Sequence, residues 1–254
     1  MYDAASLSSI KTKISSMLPR AIRVSRKEPI SEMGYMTSQS MNRPTRYQLV
    51  HSSEKRQSKL VGILLCNPSS PLAESEILGH LPFFHVRSGD AVDFFCAGYG
   101  AFWPADHHAD RRVVSRIGGE DWLFSNEAFL QVIEEIEGES KWEYGGETEL
   151  LLIPAQKESS GEVSFDYNSA IVCNLEAMSK DGAFSSVRAF FDDIFRYAKS
   201  NEATGTAWGF SDKKGLEVAS DFLKESLIAM LPKQIGSAYK KAAHYAIRKI
   251  ATDF

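Results

Sequence analysis

Apolar residues in this chain come in short runs divided by polar turns, and the runs alternate between strand-like and helix-like spacing. Leu60 to Cys66 is an apolar run of strand length, followed directly by Asn67-Pro68-Ser69-Ser70-Pro71. That pentapeptide reads as a helix start, with Ser70 as N-cap and Pro71 at the first helical position, where its missing N–H costs nothing. Leu72, Ile77, Leu78 and Leu81 then fit an inward face, which Pro82 is expected to end. The turn Arg87-Ser88-Gly89-Asp90 feeds a second apolar run, Val92 to Gly98. Residues 99–120 carry no clear period and read as one long connection.

Helical spacing returns at Ser125, a natural cap for Phe129, Val132, Ile133 and Ile136, with Gly138 as the stop. Glu149 to Ile153 and Ala170 to Leu175 read as two antiparallel strands. A helix near Ser186 to Lys199 buries Val187, Phe190, Phe191, Ile194 and Phe195. Outside this core, Ile10, Ile14, Met17 and Leu18 recur at helical spacing before Pro19. Tyr47 to Val50 is a short strand candidate, and His51 to Lys59 reads as a turn or boundary. Towards residue 254 there are two helical stripes. The first holds Leu216, Ala219, Phe222, Leu223, Leu227 and Met230, and the second holds Ile235, Ala238, Tyr239, Ala242, Ala246 and Ile250. Pro232 should break or sharply kink the helix between them. The organisation expected is a basic, partly helical segment over 1–56, an α/β core over 57–200 and a helical segment over 201–254.

The core reads β-α-β, then α-β-β-α, which resembles the thioredoxin-like arrangement over about half the chain. That resemblance implies one central mixed sheet with flanking helices; it does not imply a reaction, because such an order hosts many functions. The redox residues are missing: Cys66 ends the first strand, but Asn67, Pro68 and Ser69 follow it, with no second thiol at CxxC spacing. No proline precedes the Leu150 run, where that arrangement normally has one. A lone Cys66 activated at a helix N-terminus is the remaining thiol expectation, against a small core residue.

Composition narrows the class. The chain has 254 residues, 43% hydrophobic and 24% charged, ordinary for a globular protein. No apolar run reaches the length of a membrane-spanning helix, and Asp3, Lys11 and Lys13 interrupt Met1 to Met17, unlike a secretory leader. Cys66, Cys96 and Cys173 all fall in strand-like runs, so a reducing cytoplasm is expected. Net charge is −4 but unevenly spread. Residues 1–50 hold eight Lys+Arg against three acids, residues 120–180 three Lys against fourteen acids, and residues 233–254 five Lys+Arg against Asp253. Basic flanks around an acidic middle suit self-association, or contact with an anionic membrane or nucleic acid.

One group of residues could carry chemistry: His85 and Arg87, with Asp106, His107, His108 and Asp110 on the long connection. Imidazoles and carboxylates can hold a divalent metal, or serve as base and orienter for attack by water. Against this, adjacent histidines on extended backbone point apart, and Arg111-Arg112 would repel a cation. No phosphate-binding glycine motif or nucleophile elbow is present. The first expectation is therefore a cytosolic binding or assembly module that oligomerises through its helical ends. The alternative is a hydrolase or phosphodiester-cleaving enzyme using those six residues.

Overall fold

The computed structural model describes residues 1–18, 22–29, 47–55, 58–88, 92–104, 107–158, 160–202, 224–241 and 246–250. In chain order these form α1 (Leu7–Met17), β1 (Ile22–Pro29), β2 (Tyr47–Lys55) and β3 (Ser58–Leu65). Next come α2 (Leu81–Ser88), β4 (Asp93–Cys96), β5 (Tyr99–Gly100), β6 (Arg112–Ile117), β7 (Glu120–Phe124) and α3 (Asn126–Glu139). Then follow β8 (Glu149–Lys157), β9 (Val163–Phe165), β10 (Ile171–Asn174), α4 (Leu175–Lys180) and α5 (Val187–Glu202). The helix α6 spans residues 224–230, α7 is Lys233–Lys241, and β11 is Ile247–Lys249.

A mixed six-stranded sheet organises the chain, in the order β11-β10-β8-β3-β4 with β9 also paired to β8. β3 and β4 are parallel, whereas β8 runs antiparallel to β3 and β10 antiparallel to β8. Leu60, Val61, Ile63, Leu64 and Leu65 are all buried, so β3 is covered on both faces and shows no period-two pattern. On one face, α2 and α5 meet the sheet through aromatic side chains. Phe84 lies 4.7 Å from Phe191, and Phe94 lies 5.4 Å from Phe191 and 5.7 Å from Phe195 between ring centroids. The edge at β4 is covered by residues 1–4: Tyr2 N donates to Phe94 O at 3.1 Å, and Ala4 N to Tyr99 O at 2.9 Å.

The expected helices over 125–137 and 186–199 are present as α3 and α5, and Ser125 caps α3 by accepting from Ala128 N. Four other elements differ from expectation, each for a physical reason. Pro82 does not end the helix after Ser70. The backbone widens into a π turn over Ala73–Ile77 and tightens into a 3₁₀ turn over Leu78–His80, placing Pro82 in the first turn of α2. There its absent N–H is one that needs no intrahelical partner. The long connection 99–120 contributes β5 and β6 to a small sheet, β5-β7-β6, whose β6–β7 turn is Gly118-Gly119 with φ of 62° and 91°. Positive φ at both positions is the geometry a two-residue hairpin turn requires.

His51 to Lys55 continue β2, which pairs with β1 in a separate two-stranded ribbon carrying a bulge between Arg26 and Lys27. Finally, the second C-terminal stripe is not one helix. The break at Leu231-Pro232 is present, but residues 247–249 leave the helical path and add β11 to β10. A three-residue strand is too short to show its period. Leu216, Ala219, Phe222, Leu223 and Ala242 lie outside the described residues. Among the described residues no helix is long and apolar enough to cross a membrane.

Candidate functional site

The six expected site residues fall into two groups. His85 and Arg87 lie on α2. The His85 ring Nδ1 is 3.2 Å from Met1 O, the ring sits 6.4 Å from Trp122, and partial desolvation lowers its pKa. Arg87 grips Asp192 on α5 through Nε at 2.8 Å and a terminal nitrogen at 2.7 Å, and Arg196 bonds the other Asp192 oxygen. Those bonds hold the Asp192 carboxyl below its ordinary range although partial desolvation opposes them. Arg87 is thus a clamp between two helices.

His107, His108 and Asp110 share the loop before β6, and Asp106 lies outside the described residues. His108 has a φ of 57°, uncommon for a residue other than glycine. Its ring packs 4.9 Å from Trp103, and its Nδ1 is 4.0 Å from Glu127 Oε2. Asp110 caps α3 from outside the helix. Its Oδ1 accepts from Ser125 Oγ at 2.6 Å, and its Oδ2 accepts from Asn126 N at 2.6 Å and Glu127 N at 3.0 Å. These bonds outweigh desolvation and lower its pKa. A carboxylate on the free N–H groups of a helix start is favourable both as cap and against the helix dipole. Asp110→Ala should therefore cost about 1–2 kcal/mol in chemical denaturation. An unchanged denaturation midpoint would remove Asp110 from this structural task.

No hydrogen bond or ring contact joins the α2 pair to the loop group among the described residues. Among the same residues, no cluster of three or more His, Cys, Asp or Glu side chains could hold a metal ion.

A polar cluster that sequence reasoning missed gathers at the carboxyl end of β3, where open α/β sheets tend to place ligands. Ser70 Oγ caps the following helix by accepting from Ala73 N at 3.2 Å and also lies 3.2 Å from Thr148 Oγ1. Thr148 Oγ1 donates to Glu176 Oε1 at 3.1 Å. Beside it, Glu149 is 3% exposed and accepts from Trp142 Nε1 at 3.0 Å. Burial pushes its carboxyl up to about 7, further raised by Glu147 and opposed by the Trp142 bond and by Arg248. The sequence signal was available: a single carboxylate at the head of the apolar run Leu150 to Ile153. Of the two readings of Cys66 at this end of the sheet, the small core residue is the one the structure supports. Cys66 is fully buried and its thiol is raised to about 12 by desolvation, so it is not activated by the helix start.

A groove lies elsewhere, between α1, α3 and the β8–β9 turn, with a volume of about 860 Å³. Its α1 wall presents Ser8 and Thr12, while Glu135, Glu139 and Glu162 face it from α3 and the turn. Lys11 is the cation of the groove and is paired to Glu139, which also accepts from Tyr167 Oη at 3.1 Å. Glu135 accepts from Leu7 N. Buried Lys157 donates to Ser15 O and Leu18 O, fixing the C-terminal turn of α1. The groove is thus net acidic. Comparison with protein-family models, curated proteins and solved structures finds no match to this chain.

Proposed function

We propose that the protein is a cytoplasmic binding and assembly module. The observation that carries this reading is the allocation of side chains. Arg87 clamps α2 to α5, Asp110 caps α3, and His108 packs on Trp103, so each already has a structural task. The groove along α1 is lined by Ser8, Thr12 and Glu162 beside the Lys11–Glu139 pair, polar groups that another molecule could meet. The strand order β4-β3-β8-β10, with β8 antiparallel to its neighbours, supports a thioredoxin-like core used as a scaffold. Three buried, unpaired cysteines agree with a reducing compartment.

Sedimentation of the full chain over a range of concentrations tests the reading. The expected result is an average mass rising above the 28.3 kDa of one chain. A single 28.3 kDa species at every concentration and salt level would sink the assembly reading. Added DNA or anionic vesicles in the same runs separate it from contact through the basic flanks, whose binding would fall steeply with salt. Elemental analysis, together with phosphodiesterase assays of His107→Ala and His108→Ala, addresses the hydrolase alternative.

A further inference from the structure

We propose that the Gly145–Gly146 turn is the mouth of a small binding site whose floor is the Glu149 carboxyl. Its ligand is a neutral molecule that presents a carbonyl oxygen. Trp142 Nε1 donates to Glu149 Oε2 at 3.0 Å and fixes the carboxyl plane. The other oxygen, Oε1, lies under the turn. A Cβ on Gly145 would be 3.6 Å from it and, chain neighbours aside, would meet no other atom within 4 Å. Gly145 and Gly146 are exposed, whereas Glu149 is 3% exposed. Gly146 needs glycine for its φ of 82°, but no positive φ requires one at 145. The missing side chain at 145 leaves the approach to Oε1 open. Tyr144 N donates to Glu137 Oε1 at 2.8 Å and Thr148 N to Glu176 Oε1 at 3.2 Å, so the turn is anchored on both sides.

The chemistry of the floor follows from its surroundings. Glu149 has the Trp142 bond and no ion pair among the described residues. Burying an unpaired carboxylate is costly, so the group keeps its proton. Glu147 also opposes ionisation, Arg248 favours it, and the Cys173 thiol beside it on β10 stays protonated through burial. Because Trp142 already donates to Oε2, the carboxyl proton belongs on Oε1, where it faces the opening. Tyr144 is the second donor. Burial, and then the Glu149 charge, keep its hydroxyl protonated. No hydrogen bond occupies that hydroxyl among the described residues. A phenol and a neutral carboxylic acid together suit a carbonyl oxygen, which accepts two such bonds. Glu147 and Glu176 nearby disfavour an anion.

The test is esterification of the full chain by diazo-N,N-dimethylacetamide, a neutral amide that reacts with protonated carboxyls. The Oε1 proton passes to the diazo carbon, Oε1 forms the new C–O bond, and dinitrogen leaves with the C–N electron pair. At pH 6, mass mapping should find Glu149 labelled at least about tenfold faster than exposed Glu120 and Glu127. Labelling should fall above pH 7, where the carboxyl, raised to about 7, loses its proton. Gly145→Leu should slow it about tenfold or more by covering Oε1, with thermal melts checking the fold. In wild type, excess N,N-dimethylacetamide, which has the carbonyl but no diazo group, should protect Glu149, and should protect it less in Tyr144→Phe. An unlabelled Glu149, or equal labelling in a folded Gly145→Leu, overturns the way in. Labelling that the unreactive amide does not slow overturns the binding site. None of these outcomes depends on self-association, so the site and the assembly reading fail separately.

Discussion

Gly98→Ala is expected to cost on the order of 4 kcal/mol and to lower the thermal midpoint by roughly 10 °C. Gly98 has a φ of +76°, a conformation that costs any other residue about 1–2 kcal/mol. A Cβ there would also lie 2.7 Å from Phe129 Cβ, 2.8 Å from Ser125 O and 2.9 Å from Phe129 Cα. Two of those atoms are backbone of the α3 start, so relief requires moving the helix. The same residue knits three segments together: its N–H donates to Ala4 O at 2.8 Å, and its carbonyl accepts from Ser125 N at 3.0 Å. Gly118→Ala is the control. Gly118 shares a positive φ of 62°, but a Cβ there meets nothing within 4 Å, so only the conformational cost of about 1 kcal/mol applies. Equal losses in the two variants would show that α3 does not approach Gly98 this closely.

Glu149→Gln should stabilise the protein at pH 8 by about 2–3 kcal/mol and leave stability near pH 4.5 almost unchanged. The sign follows from the raised carboxyl, about 7 in the folded chain against an ordinary 4.5. The folded protein holds this proton more tightly than the unfolded chain does. Its contribution is therefore full below pH 4.5, declines as pH rises towards 7, and is gone above that. Glutamine is neutral at every pH and keeps a carbonyl to accept from Trp142 Nε1. Urea denaturation of both proteins across that range is the measurement. Parallel pH profiles for wild type and variant would show that Glu149 titrates normally.

Much of the core was legible because its signals are local. Ser125 and the buried Phe129, Val132, Ile133 and Ile136 state α3 within one window, and the apolar head of β8 and β10 state a pair of covered strands. The β6–β7 hairpin was also written in the sequence, as Gly118-Gly119 between Arg112 to Ile117 and Glu120 to Phe124. Polar residues on its exposed positions hid the strands. The helix through Pro82 was not legible, since a change of helical pitch leaves no compositional mark. The candidate site was the least readable part. Asp110 meets the α3 start from fifteen or more positions away, and Arg87 reaches Asp192 across 105 positions, so their tasks follow from tertiary approach alone. Histidines and carboxylates look alike in sequence whether they cap a helix or activate water.

Segments distant in sequence complete the two ends of the central sheet, residues 1–4 against β4 and β11, itself the end strand, against β10. Contacts over such separations form slowly, because loop-closure entropy is lost before they return any stability. During synthesis β10 stays uncovered until residues 247–249 have left the ribosome and docked. In that interval an unpaired strand edge is open to other chains, the usual route to edge-to-edge aggregation. Production yield of this protein should therefore be governed by the lifetime of that half-closed sheet more than by the depth of the native minimum.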